Sequence, residues 1–385
     1  MAITLLVTDK NLTVLGDPLS GWTDLQVDLA FNQPAAGTVT LPARPDVMAL
    51  LQPGNRLTVI RDGVIWCAGP METPQEYSWD LDSNAEPGTV TCSFSDDLAR
   101  VAGYLTYADP TKAFGAQPAD TTTWSMTSTN AETIIRTLVN ANCGPGAISA
   151  RRIEQLVLDT VAGVGSSTSI STRLEPLLDV CRTVASGDGL GFRTRQVGNQ
   201  IHFGVYAPVD RSATCRFSAA LGNLRSLSYS LVAPLATAEL VQGGDITTAT
   251  GVFVEVDSGA AADWYRVERL QDQTGVIDDA DGELTQAGTL AFGDDNPQST
   301  LSTVTVDTPD LQAGRDYGLG DRVTVVLPTG LEVQDVVRTI SLQATPDSGE
   351  VVTSVVGNQD QSTASATTRV VRELARRLGR LETRR

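Results

Sequence analysis

Two stretches far apart in this chain share one strand–turn–strand pattern, and that repeat constrains the fold more than any other feature. The first reads Thr38-Val39-Thr40-Leu41 and then, sixteen residues after Thr38, Gly54-Asn55-Arg56-Leu57-Thr58-Val59. The second reads Thr303-Val304-Thr305-Val306 and, seventeen residues after Thr303, Gly320-Asp321-Arg322-Val323-Thr324-Val325. Pro-Asp stands between the strands in both, at Pro45-Asp46 and Pro309-Asp310, and Leu25-Gln26-Val27-Asp28-Leu29 has an upstream analogue in Leu227-Ser228-Tyr229-Ser230-Leu231. Gly54 and Gly320 permit the positive backbone angle of a tight turn. Arg56 and Arg322 follow them at the same distance, and the alternation beyond sets which face is buried. Strand patterns look alike wherever Thr and Val abound; the near-equal spacing and the shared Gly-polar-Arg favour two related β units.

The rest of the first region agrees. Leu25, Val27 and Leu29 alternate with polar residues, Asn32-Gln33-Pro34 turns the chain, and Val39 and Leu41 alternate again. A helical turn over 46–51 leads to a strand over 56–60, the hairpin turn Asp62-Gly63, a returning strand over 64–68 and another over 88–95. This predicts a small antiparallel barrel or sandwich. Residues 129–206 change character. Ser128-Thr129-Asn130 can cap a helix through Ile134, Ile135, Leu138 and Val139, stopped by Gly144-Pro145. A second helix, over 174–185, puts Leu174, Leu177, Leu178, Cys181 and Val184 on one face, and a hairpin turned at Gly198-Asn199 follows. Strand patterning then returns, with Val252, Val254 and Val256 on one face, a helix near 283–290, and strands over 320–327 and 333–342.

The fold class expected is therefore α+β, mostly β: two related small antiparallel β-barrel or sandwich domains around an α+β insertion, with a short C-terminal helix. The boundaries read 1–110, 111–212 and 213–357, with 358–385 as linker and helix. In that last segment Val371, Leu374, Leu378 and Leu381 fall at heptad spacing. Two heptads are too few for an independent coiled coil. The seam suits association with identical neighbours already held together, or docking on another protein.

Composition narrows the function. The net charge is −18, yet seven arginines and two glutamates follow Ser362, so the body is more acidic than the whole. Such a body disfavours tight binding to a nucleic-acid backbone, and no sequence-specific nucleic-acid binding is expected. The five cysteines, Cys67, Cys92, Cys143, Cys181 and Cys215, are widely spaced and odd in number, which predicts buried free thiols and a reducing place of assembly. The apolar run at the amino terminus is too short for a signal peptide, and no stretch approaches a membrane span, so no integral membrane segment is expected.

Enzymatic signals are weak. His202 is the only histidine and sits between Ile201 and Phe203, where a structural role is the ordinary one. The Gly-rich run 186–191 follows a helix and precedes a strand, the reverse of a phosphate loop, and lacks its lysine. Asp96-Asp97 and Asp294-Asp295 stand outside any Asp-x-Asp-x-Asp-Gly loop. No catalytic residue, metal or cofactor is expected.

Three stretches carry a resemblance: Gly37 to Pro42 with Leu51-Gln52-Pro53-Gly54 and the strands to Gly69; Phe217-Ser218 through Gly222-Asn223-Leu224 and on from Tyr229 to Gly243-Gly244; and Tyr317-Gly318-Leu319-Gly320-Asp321-Arg322-Val323 with the strands to Gly357. Over most of residues 20–357 the chain resembles the tail hub or minor tail proteins of siphophages, which are related to baseplate hubs and to the amino-terminal parts of tail-associated lysins. The resemblance implies a non-enzymatic homotrimer at the virion tail tip, assembled in the host cytoplasm. It would meet the distal tail protein, tail tube and tape measure protein on one side and tip or fibre proteins on the other. It would also line or close the channel for DNA ejection. Three chains with two similar units each show six similar faces, which lets a threefold ring meet a sixfold tube. The alternative is a receptor- or carbohydrate-binding β protein of the virion surface, whose mark would be clustering among Trp22, Trp66, Trp79, Trp124 and Trp264.

Overall fold

The computed structural model describes residues 3–357 except 80–87, 120–121, 233, 246–249, 275, 277, 281, 296–297 and 348. The chain opens on a hairpin that alternation alone does not announce, β1 (Ile3–Thr8) and β2 (Val14–Leu19). Asp9 holds its turn by accepting from the Asn11 and Thr13 amides. β3 (Asp24–Ala30) and β4 (Gln33–Pro42) form the expected second hairpin, with Asn32 at φ 56° in its tight turn. Pro45 starts α1 (Pro45–Leu50), where its fixed φ suits the first helical position. β5 (Arg56–Arg61) and β6 (Val64–Ser78) flank Asp62-Gly63, both at positive φ, as a primed hairpin turn requires. β7 (Thr89–Ser95) inserts between β4 and β6, and α2 (Leu98–Ala102) follows.

The insertion comprises β8 (Trp124–Asn130), α3 (Ala131–Asn142), β9 (Leu156–Leu158), β10 (Ser167–Thr172), α4 (Leu177–Ser186), β11 (Gly191–Val197) and β12 (Gln200–Tyr206). Of the three residues Ser128-Thr129-Asn130, it is Asn130 that caps α3, accepting from the Thr133 amide. The second helix begins three residues later than the apolar spacing suggests. Pro176 disfavours helical geometry at Glu175, and Leu174 sits at φ 55°, so the helix starts only at Leu177. Ile134, Ile135, Leu138 and Val139 of α3 bury against Leu177, Leu178, Cys181 and Val184 of α4 in a core separate from that of the β units.

The second β unit holds β13 (Arg216–Ser218), β14 (Leu224–Val232), β15 (Ala238–Asp245), β16 (Thr250–Asp257), β17 (Glu268–Thr274), α5 (Glu283–Asp295), β18 (Gln298–Val306), β19 (Arg322–Val326), β20 (Glu332–Thr345) and β21 (Gly349–Val356). β15, β16 and β17 form their own small sheet, β16-β15-β17. α5 lies so close on it that a Cβ at Gly288 would meet Val241 and Val256 at under 3 Å. Asp279 anchors the helix start through the Leu284 and Thr285 amides.

All remaining strands of both units belong to one 13-stranded sheet, in the order β14-β18-β21-β20-β3-β4-β7-β6-β5-β1-β2, with β19 beside β20 and β13 beside β19. The expected mostly β class is what the structure shows. Of the two forms left open, neither unit closes into a barrel among the described residues. One apolar core runs through both, from Leu5, Leu25 and Val27 to Leu342 and Val356. The helical seam Val371, Leu374, Leu378 and Leu381 lies outside the described residues.

Candidate assembly interface

One hydrogen bond recurs in both units and fixes which residues are equivalent. The Met71 amide donates to the Asn55 carbonyl at 3.1 Å, and the Val337 amide donates to the Asp321 carbonyl at 3.0 Å. Gly54 and Gly320, just before those carbonyls, both sit at φ 86°. Asn55 and Asp321 thus correspond, as do Met71 and Val337. Following the strand pairings outward, Met71 faces Phe94 and Val337 faces Val356. Phe94 faces Gly37 and Val356 faces Thr303. Gly37 faces Val27 and Thr303 faces Leu227.

The result is a match of whole topologies. The order β3-β4-β7-β6-β5 in the first unit has its counterpart in β14-β18-β21-β20-β19 in the second. The sequence repeat needs a one-residue correction, however. Thr38-Val39 and Thr303-Val304 lie out of phase: within these motifs Val39 and Leu41 are buried in β4, whereas Thr303 and Thr305 are buried in β18. Their hydroxyls are absorbed by donating to the Val356 and Ser354 carbonyls. The upstream analogue shifts too, since Val27 matches Leu227 rather than Tyr229 matching it.

The glycines are equivalent in conformation and differ in surroundings. Nothing lies within 4 Å of a Cβ at Gly54, while at Gly320 one would meet Phe31 and Pro208 at under 3 Å. The arginines differ more. Arg56 is buried and donates through Nε and Nη2 to the Asp97 carboxylate, and through Nη1 to Thr8 and to Gln196 of the insertion. Arg322 is exposed, and it is its backbone that pairs, with Val209 and Arg211. In the second unit the work falls on the residue between Gly320 and Arg322. Asp321 accepts from the Val209 and Gly318 amides and from Arg211 Nε, tying the segment that leaves the insertion to the sheet. Sequence reasoning treated that position only as polar; its near-burial could not be read from spacing.

The two units meet where β3 runs antiparallel to β20. Ile340 faces Leu29, Leu342 faces Val27 and Ala344 faces Leu25. Both Val27 and Leu342 are fully buried there. The β3–β4 turn docks on the insertion as well: Asn32 donates to the Leu190 carbonyl, accepts from the Phe192 amide, and its own carbonyl takes a bond from Arg182.

His202 sits in a small charged cluster. Its Nδ1 is 2.8 Å from Asp159, which also accepts from Arg195 at 2.7 Å. Partial burial pushes the Asp159 carboxyl up, but those two hydrogen bonds prevail and hold it below the usual carboxylate range. Among the described residues no serine, threonine or cysteine is hydrogen-bonded to His202. Among the described residues no group of three His, Cys, Asp or Glu side chains is placed to hold a metal, and no helix is long and apolar enough to cross a membrane.

The family model for Siphovirus ReqiPepy6 Gp37-like protein matches residues 4–358. The chain belongs to that siphovirus tail-protein family. No curated protein matches it. Among solved structures, the 43 kDa tail protein of prophage MuSo2 from Shewanella oneidensis is similar over 93% of this chain and 99% of its own, at 13% identity and a TM-score of 0.59. The tail protein from Neisseria meningitidis MC58 is similar over 93% and 97%, at 12% identity and 0.55. Prophage tail protein gp18 from Listeria monocytogenes EGD-e is similar over 98% and 99%, at 11% identity and 0.55. At such identities the likeness is one of fold, and the fold shared is that of phage tail proteins.

Proposed function

We propose that this family member is a structural hub of the tail tip: a homotrimer whose ring joins the sixfold tail tube to the tip and surrounds the path of DNA ejection. The observation that carries this reading is the pair of equivalent units within one continuous sheet. A chain with two copies of one topology supplies six copies when three chains close into a ring, and closed symmetry is the rule for such assemblies. The distal tail protein, tail tube and tape measure protein are the partners above, and tip or fibre proteins those below. The acidic body suits a passage that phosphate must cross without sticking. The role is architectural rather than enzymatic, and the protein acts in the virion after assembly in the host cytoplasm.

Negative-stain images of the purified chain, alone and mixed with the distal tail protein, test the proposal. A threefold particle with a central opening that stacks on the distal ring is expected. Compact particles without that symmetry, in both samples, would overturn it.

A further inference from the structure

Charge in this chain is concentrated at two places. Residues 239–295 hold thirteen carboxylates against two arginines, Arg266 and Arg269, whereas residues 362–385 hold seven arginines against two glutamates. The acidic stretch is the small sheet β16-β15-β17 with α5. One face of that sheet is covered, since Val241 and Val256 pack on α5 at Gly288.

The other face is open. Residues paired across a ladder share a face, so Leu240 lies between Glu255 and Leu270, Gln242 between Phe253 and Asp272, and Ala238 between Asp257 and Glu268. Phe253 is 73% exposed and Leu270 is 51% exposed. All four carboxylates there are exposed as well, and the cation among them is Arg266, which bridges Glu255 and Glu268. An apolar centre ringed by carboxylates suits an arginine-rich segment. The guanidinium forks pair with carboxylates, while the aliphatic stems cover apolar side chains.

Such a segment lies within reach on the same chain. Arg369, Arg372, Arg376 and Arg380 recur at spacings of three, four and four, one face of a helix, about opposite the seam of Val371, Leu374, Leu378 and Leu381. Residues 358–385 lie outside the described residues. A Cβ at Gly357 would meet the Leu301 carbonyl in β18, and Leu301 stands six residues beyond Asp295, where α5 ends. At up to about 3.6 Å per residue the end of α5 is within roughly 22 Å of Leu301. The eleven residues 358–368 can span up to about 36 Å, and a tether of that length keeps the segment at high effective concentration.

We infer that the arginine stripe of residues 369–380 docks on the open face of the β16-β15-β17 sheet of its own chain. Its guanidinium groups meet Asp257, Asp272 and the Glu255–Glu268 pair, and its stems lie over Phe253 and Leu270. The apolar seam then points away from the sheet, toward neighbouring copies. This docking needs no ring and stands apart from the hub proposal.

The test is the full-length chain carrying Arg372→Lys and Arg376→Lys, treated with a water-soluble carbodiimide, which joins an amine directly to a carboxylate it touches. Both substitutions keep the charge, and the native side-chain amines are only Lys10 and Lys112. Peptide mass spectrometry is expected to find the introduced amines joined to Glu255, Asp257, Glu268 or Asp272. Those links should be lost in 1 M salt, where the screening length falls to about 3 Å. Links confined to Glu373 and Glu382 of the segment itself, or scattered over carboxylates elsewhere, overturn the docking, as do face links that persist undiminished at 1 M salt. In a mixture of isotope-labelled and unlabelled chains, links found only between the two kinds would seat the segment on a second copy and overturn its assignment to its own chain. As a second readout, Glu255→Gln with Glu268→Gln changes two exposed side chains. It should leave the melting temperature unchanged and speed trypsin cleavage after Arg372 and Arg376 severalfold; an unchanged cleavage rate would count against the docking.

Discussion

Arg56 and Asp97 form a fork-to-fork ion pair at 2.5 Å with both side chains only 2% exposed. The guanidinium reaches on to Thr8 in β1 and Gln196 in β11, so one buried charge ties the first β unit to the insertion. Removing one partner strands the other in a site with little water. Asp97→Ala is expected to cost about 3–5 kcal/mol, the range for breaking a buried pair from one side. Arg322→Ala, at the equivalent strand position but exposed, should change stability by under ~0.5 kcal/mol. Denaturant unfolding of the two variants checks the contrast; equal losses would refute it.

Next to that pair, burial lifts the Asp96 carboxyl from its ordinary 3.8 to about 7, with the Asp97 carboxylate adding to the effect and the Ala35, Leu98 and Ala99 amides opposing it. Between those values the folded chain holds a proton that the unfolded chain has released. This contribution to stability is therefore complete below about pH 4 and is lost as pH rises through 7. Asp96→Asn should flatten the fall across that window and leave the protein more stable than wild type at pH 8, on the order of 1–3 kcal/mol. Thermal melts from pH 4 to 8 read this directly, and a variant with an unchanged pH slope would contradict it.

All five cysteines are buried and free. Burial pushes the Cys92 thiol up to about 11 and Cys143 up to about 12, the latter against the pull of Arg151 and Arg100. The reactive thiolate is thus scarce at neutral pH. A thiol reagent should count none in the native protein within minutes and five after denaturation. Rapid native labelling of even one would show a more open core.

Gly69 marks the closest approach of β6 to the end of β7. A Cβ there would fall 2.3 Å from the Ser95 carbonyl oxygen and 2.6 Å from Asp96 Cα, both backbone atoms that cannot swing aside. Gly69→Ala should destabilise by roughly 1–3 kcal/mol, the usual cost of overpacking. Gly54→Ala meets no steric neighbour and acts only through its positive φ, so its loss should be about 1 kcal/mol. A melt showing Gly54→Ala as the worse of the two would reverse the assignment.

Much of the fold was legible because alternation and turn chemistry are local. Asp62-Gly63, Asn130 and the apolar face of α3 each declare themselves within a few residues. The repeat was legible through Gly54 and Gly320, whose shared conformation the structure bears out, but its phase was not. Thr303 and Thr305 look like the solvent-facing side of a strand and are instead buried, their hydroxyls bonded to carbonyls of β21. The parallel pairs β9–β12, β13–β19 and β15–β17 join segments far apart in sequence, and no short pattern encodes them. The same holds for the candidate interface. Arg56 and Arg322 read alike in sequence, and only tertiary placement makes one a buried tie and the other a surface residue. The β3–β20 junction joins segments near the two ends of the chain and leaves no local mark.

The central claim is that two equivalent units in one chain exist to build six positions from three copies. Mass in solution by light scattering, across a concentration series, tests it most directly. The account predicts a trimer whose population rises with concentration and stops at three. A species that remains monomeric at every concentration, or that settles at a dimer, would contradict it.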